Sequence, residues 1–220
     1  MKWGFERNLH TNSEYIKFKA KEDNIEVIHL TYKELMSLYN YKFKSIRLSQ
    51  VRDVYCFGCF TGLRFSDIQA LNSSNIMGDY ISMTILKTRT LSHVIPLIDP
   101  AKAILKKYKD TISYPLPVIS LQKNNEYIKE CCELVKIDTP TTITRYIGRK
   151  RRDTTLPKYQ LITSHTARKT FITNSLLLGM NERVVRSITG HMKESSFNKY
   201  VKLTEEYKKD KINDAWNNKE

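Results

Sequence analysis

The sequence predicts a mainly α-helical fold with one small antiparallel β-sheet, and three observations carry that reading. Apolar residues recur at helical spacing over much of the chain, as at Val51, Val54 and Tyr55, and again at Val184, Val185 and Ile188. Capping residues and glycine terminators bracket these stretches, from Thr31 and Glu34 through Gly62 to Gly179 and Gly190. Alternation is confined to residues 80–98, where Ile81, Met83 and Ile85 precede a Thr-Arg-Thr turn and Val94, Ile95 and Leu97 follow it.

Taken in order, residues 1–25 are polar with little periodicity and rich in lysine from Lys17 to Lys21, so a linker entering the domain is expected. Leu30, Thr31 and Glu34 give a hydrophobic residue followed by a capping box, which starts a short helix through about Tyr39. A longer helix runs from about Leu48 to Phe60 and is stopped by Gly62. Arg64 then opens the next helix, with Ile68 and Leu71 continuing the apolar stripe and Asp67 on the face of Arg64 at i+3. Lys87 falls at the turn end of the first strand. Asp99 and Pro100 open a helix through about Tyr108, and another spans Asn124 to Val135.

Residues 141–155 allow helix or strand through Ile143 and Ile147, and Arg149-Lys-Arg-Arg152 is either a solvated charge run or a phosphate contact. Ser164 is expected to cap a helix that holds His165 and Arg168 in its first turns and ends near Leu178. Asn181 caps the next, and Gly190 ends it. Tyr200 belongs to a short helix starting near Ser195, and residues 204–216 can form a last one, with Ile212, Ala215 and Trp216 on one face.

At 220 residues the chain can bury one good core and is short for two full domains. The formal net charge is +14 and the pI about 9.5, with the 37 Lys and Arg spread along the chain. A basic surface of that kind favours nucleic acid or an anionic membrane. No 18-residue apolar run exists and the N-terminus lacks a signal-peptide core, so a soluble cytoplasmic protein with no membrane partner is expected. Cys56 and Cys59 form a C-x-x-C, but they share one helix face inside an apolar run, and no second pair stands at zinc-ligand spacing. They read as core thiols, and no metal or other cofactor is expected.

Four motifs follow one another: Thr61-Gly-Leu-Arg-Phe-Ser-Asp67, the strand-borne Lys87, Ser164-His-Thr-Ala-Arg168, and Thr189-Gly-His191 with Tyr200 nine residues on. In this order they resemble the tyrosine recombinase (phage integrase) family over residues 26–216. The wording of Ile188-Thr-Gly-His-Met-Lys-Glu-Ser-Ser-Phe197 is most similar to integrases of conjugative transposons and prophages. One position departs from the commonest pattern, Lys169, where many members carry His or Arg.

The resemblance implies the family's catalytic-domain fold, with residues 26–203 as that domain and 204–220 as a helical tail. Residues 1–25 would be the linker from an N-terminal DNA-binding domain that this chain lacks. It implies site-specific recombination of double-stranded DNA by a homo-tetramer on paired sites, with accessory bending or directionality proteins and nucleoid association when bound. Attack on a phosphodiester places negative charge on the non-bridging oxygens, which Arg64 and Arg168 are suited to meet, because each guanidinium binds two oxygens and stays charged. A tyrosine of ordinary pKa near 10 needs help to act as nucleophile. By the resemblance His165 takes the Tyr200 proton, His191 donates to the phosphate, Lys87 protonates the departing 5′ oxygen, and Asp67 buttresses the group. A type IB topoisomerase and a non-catalytic DNA-binding regulator are the competing readings; His165 argues against the first and the complete residue set against the second.

Overall fold

The computed structural model describes residues 2–16, 27–85, 90–109, 111–147, 150–190, 197–205 and 209. Along these the helices are α1 (Lys2–Glu6), α2 (Tyr32–Asn40), α3 (Ile46–Thr61), α4 (Phe65–Gln69), α5 (Asp99–Tyr108), α6 (Leu121–Leu134), α7 (Lys158–Leu161), α8 (Ser164–Leu177), α9 (Glu182–Thr189) and α10 (198–205). The strands are β1 (Ile76–Met77), β2 (Tyr80–Ile85), β3 (Thr90–Pro96), β4 (Pro140–Ile147) and β5 (Lys150–Pro157). The chain forms two compact units, one of residues 1–26 with 142–154 and one of 27–141 with 155–220.

The larger unit is arranged around α3, which is buried on every face from Val51 to Thr61 and packs against α2, α5, α6 and α8. Tyr55 and Phe57 are fully enclosed there, and truncating a ring of this kind costs about 3–5 kcal/mol. Gly58 permits the close approach of α8, because a Cβ would stand 3.2 Å from both Ala167 Cβ and Ile68 Cδ1. The polar pair in this helix is matched from outside. Arg52 donates to the carbonyls of Leu38, Tyr39 and Tyr41 at the end of α2, and Asp53 accepts from Lys107 Nζ and Tyr108 Oη, each at 2.6 Å. Unpaired, either charge would be strongly destabilising at such depth.

Capping follows the sequence closely in α2, where Thr31 Oγ1 accepts from Glu34 N–H and the Glu34 carboxylate from Thr31 N–H. The segment before it is tied to α8: Leu30 N–H donates to Thr170 Oγ1, and Asn174 Nδ2 donates to Leu30 O. Two boundaries move. α6 begins at Leu121, three residues before the expected Asn124, because Ser120 supplies the cap. The cap of α8 is Thr163, since the Ser164 side chain turns to α6 instead.

β1, β2 and β3 form an antiparallel sheet in that order, with Ile81 opposite Ile95, Met83 opposite His93, and a bulge between Met83 and Ile85. Ile81, Met83, His93 and Ile95 are buried. β1 escapes a pattern-based reading because its two residues are too short for alternation to register. A second small core gathers Val27, Ile172, Leu176, Val185, Phe197 and Tyr200 between α8, α9 and α10.

In the smaller unit, the expected linker carries α1 and a single 3₁₀ turn at Glu14–Ile16, with Phe5, His10 and Tyr15 in mutual ring contact. The ambiguous stretch resolves as the β4–β5 hairpin, where Asp153 accepts from Thr144 Oγ1 and Arg151 Nε. Lys150, Arg151 and Arg152 are exposed on β5. Residues 206–208 and 210–220, including Ile212, Ala215 and Trp216, lie outside the described residues, as do Lys87, Arg149 and His191. No helix among the described residues is long and apolar enough to cross a membrane.

Candidate active site

The site begins at the end of α3. Gly62 closes the helix in the left-handed region at φ +71°, its N–H donating to Gly58 O, and the chain continues into the buried Leu63. Arg64 is the residue before α4, with extended backbone at ψ 155°. Its Nη1 lies 3.7 Å from Asp67 Oδ2, and Asp67 is fully buried. That Nη1 is enclosed, makes no hydrogen bond among the described residues, and meets the Asp67 carboxylate as an ion pair.

The first turn of α8 is fastened to α6. Asn125 Oδ1 accepts from Ser164 N–H at 2.7 Å and from Ser164 Oγ at 2.8 Å, while the buried Asn124 donates to Ser164 Oγ. His165, the next residue, is exposed. Its pKa is drawn down to about 4, by burial of the ring first and then by Lys169, Arg168, Lys199 and Arg64.

One turn further on, Arg168 is buried at 4% exposure. Nη1 donates to Gly62 O at 2.7 Å and Nη2 to Thr189 O, so one guanidinium bridges the ends of α3 and α9. Burial and then Arg64 lower its pKa to about 9, which leaves it charged at neutral pH. Tyr200, at 3% exposure, packs on Phe197 with ring centroids 5.8 Å apart. Burial raises the pKa of its hydroxyl and the charge of Arg168 opposes the rise.

Arg64, Asp67, His165, Arg168 and Tyr200 thus share one electrostatic neighbourhood, joined by Lys169 and Lys199. The arrangement can hold an anion between two guanidinium groups, beside a neutral imidazole and a phenol. Asn124 and Asn125, which hold the first turn of α8, were not legible in the sequence, nor was the contact that His93 makes. The one signal in the sequence was a histidine on the inward face of β3, in step with Ile95. Cys56, Cys59, Cys131 and Cys132 are all reduced and buried, and burial pushes each thiol up. Among the described residues no group of three His, Cys, Asp or Glu is placed to hold a metal.

Comparison with known proteins agrees on the fold. A lambda integrase dimer bound to a core site is 16% identical with a TM-score of 0.62, matching 90% of this chain and 68% of that one. The Tn1549 transposon integrase in complex with circular intermediate DNA is 13% identical at a TM-score of 0.61, over 90% of this chain and 69% of that one. The catalytic domain of bacteriophage HP1 integrase is 20% identical at a TM-score of 0.55, over 80% of this chain and 88% of that one. The chain therefore spans about two thirds of the length of the first two, and most of an isolated catalytic domain. No curated protein sequence matches it. The sequence model of the phage integrase family nevertheless matches residues 29–207, a span that takes in both arginines and Tyr200, and so this chain belongs to the phage integrase family.

Proposed function

We propose that this protein is a site-specific recombinase that cuts and rejoins duplex DNA of a mobile element through a covalent 3′-phosphotyrosine at Tyr200. The observation that carries the reading is the pairing of the half-buried Arg64 with the buried Arg168, two cations on different elements, with Tyr200 under the influence of the second. Like charges are brought this close only at a cost, and a phosphodiester between them offsets it.

In the cleavage step the Tyr200 Oη attacks phosphorus, its proton passes to His165, and the bond from phosphorus to the 5′ oxygen breaks. Lys87 gives that oxygen a proton, and His191 donates to a non-bridging oxygen; these roles, like that of His165, come from the family resemblance. The neutral state of His165 at pH 7 makes it an acceptor, and an incoming phosphate raises its basicity by countering the surrounding cations. Bond energy is kept in the phosphotyrosine, so the 5′ hydroxyl can religate without nucleotide or metal.

Residues 26–203 act as the catalytic domain, 204–220 as a tail and 1–25 as a linker. Assembly as a tetramer on paired sites, help from accessory proteins, and a cytoplasmic location with nucleoid association belong to the same proposal. The test is a nicked suicide duplex carrying a crossover site selected by binding from a random pool. Wild type should form a protein–DNA adduct stable to denaturant and resistant to EDTA, and Tyr200→Phe should form none while binding DNA within about twofold. Adduct formation by the Phe variant would reject Tyr200 as nucleophile.

A further inference from the structure

The assigned residues leave a buried histidine unused. His93 is 8% exposed on the inward face of β3, opposite Met83. Its Nε2 lies 2.7 Å from Ile188 O in the last turn of α9. A carbonyl only accepts, so the ring carries a proton on Nε2 and donates it. The next carbonyl along, Thr189 O, receives Arg168 Nη2. Gly190 then closes the helix in the left-handed region at φ +61°, its N–H on Arg186 O and Ser187 O, and a Cβ there would meet His93 Cε1 at 3.8 Å.

Helix-terminal carbonyls usually turn to water or to a glycine cap. Here two successive ones are taken by side chains from β3 and α8, at the point where the chain leaves for His191. His93 stands on β3, which begins three residues after Lys87 in the sequence. One hydrogen bond therefore joins β3 to the end of α9, beside the carbonyl that Arg168 holds.

We propose that His93 is a positioning residue: by donating to Ile188 O it locks the end of α9 to β3, so that the neighbouring carbonyl of Thr189, and with it the guanidinium of Arg168, is held in place for the phosphate. This rests on the recombinase reading above. Loss of the bond lets the two elements slide relative to each other, and a misplacement of about 1 Å costs up to roughly 100-fold in rate.

The test is single-turnover adduct formation on the suicide duplex by the full chain, with DNA binding and thermal unfolding measured alongside. His93→Leu should slow adduct formation roughly 10- to 100-fold, with DNA affinity within about twofold. His93→Gln should recover to within about threefold of wild type, because its amide nitrogen can reach the place of Nε2. His93→Asn should remain slow, because its shorter amide cannot. The Gln and Asn variants differ by one methylene and keep the comparison decisive if the Leu variant does not fold. Wild-type rates in Leu and Asn variants, or equal defects in Gln and Asn, overturn the positioning role. Absence of adduct from wild type itself would instead reject the recombinase reading, and the role of His93 with it.

Discussion

Arg168 holds two jobs in one side chain, since the guanidinium that would meet a phosphate also bridges Gly62 O and Thr189 O. A lysine keeps the charge but cannot span two carbonyls and present a planar face to an anion. Arg168→Lys is expected to lower the rate of adduct formation by about 10²–10³, with stability also reduced, measurable as single-turnover cleavage beside a urea melt. His165 makes a prediction of a different kind. Its folded pKa is lowered to about 4 from the ordinary 6.5, so the neutral ring persists until the pH falls through 4. The unfolded chain takes up that proton near pH 6.5, so the site's contribution to stability is complete above 6.5 and declines as the pH falls from there toward 4. An NMR titration of the free protein should place the His165 midpoint near 4 and show it moving up when a duplex binds, and a free-protein midpoint of 6.5 would contradict the cationic setting.

At the scale of elements, the turn from α3 to α4 is the most demanding. Gly62 sits at φ +71°, and a Cβ there would lie 2.6 Å from Phe171 Cδ1. Left-handed backbone costs a non-glycine residue about 1–2 kcal/mol before the ring has to move. Gly62→Ala should therefore destabilise the fold by more than about 2 kcal/mol and slow cleavage too, because the same carbonyl anchors Arg168; chemical denaturation and adduct assays together check it. This glycine was readable as a helix stop, and so were the ends of α2, α5 and α9. The reason is that capping is local: donor, acceptor and terminator lie within a few residues. Ser164 shows where local logic ends. It looks like a cap, yet its hydroxyl and N–H go to Asn125 and Asn124 on α6, some forty positions away, and Thr163 starts the helix. The same applies within the site. Arg64, His165, Arg168 and Tyr200 could be picked out by motif, but the carbonyls that orient Arg168 and His93 are backbone atoms, on which sequence leaves no mark.

For the whole molecule the net charge of +14 is the dominant quantity. DNA binding should fall steeply with salt as counterions are released, by roughly 100-fold between 50 and 200 mM if four phosphates are neutralised. Fluorescence anisotropy at several salt concentrations measures the slope, and a flat response would remove DNA as the main ligand. Size and composition point to one main domain, whereas the separate grouping of residues 1–26 with 142–154 had no signature, because such grouping depends on contacts between distant segments.

The four enclosed thiols give the protein a further property. Native cysteine is chemically silent here, since a thiol reagent must wait for the core to open before it can reach Cys56, Cys59, Cys131 or Cys132. Background modification rates therefore report opening of the core around α3 and α6. Against that quiet background, a single cysteine introduced at the exposed Asn198, two residues before Tyr200, would be the fast-reacting site. A fluorophore attached there would follow the helix of Tyr200 in real time as DNA arrives, without removal of any native residue from the core.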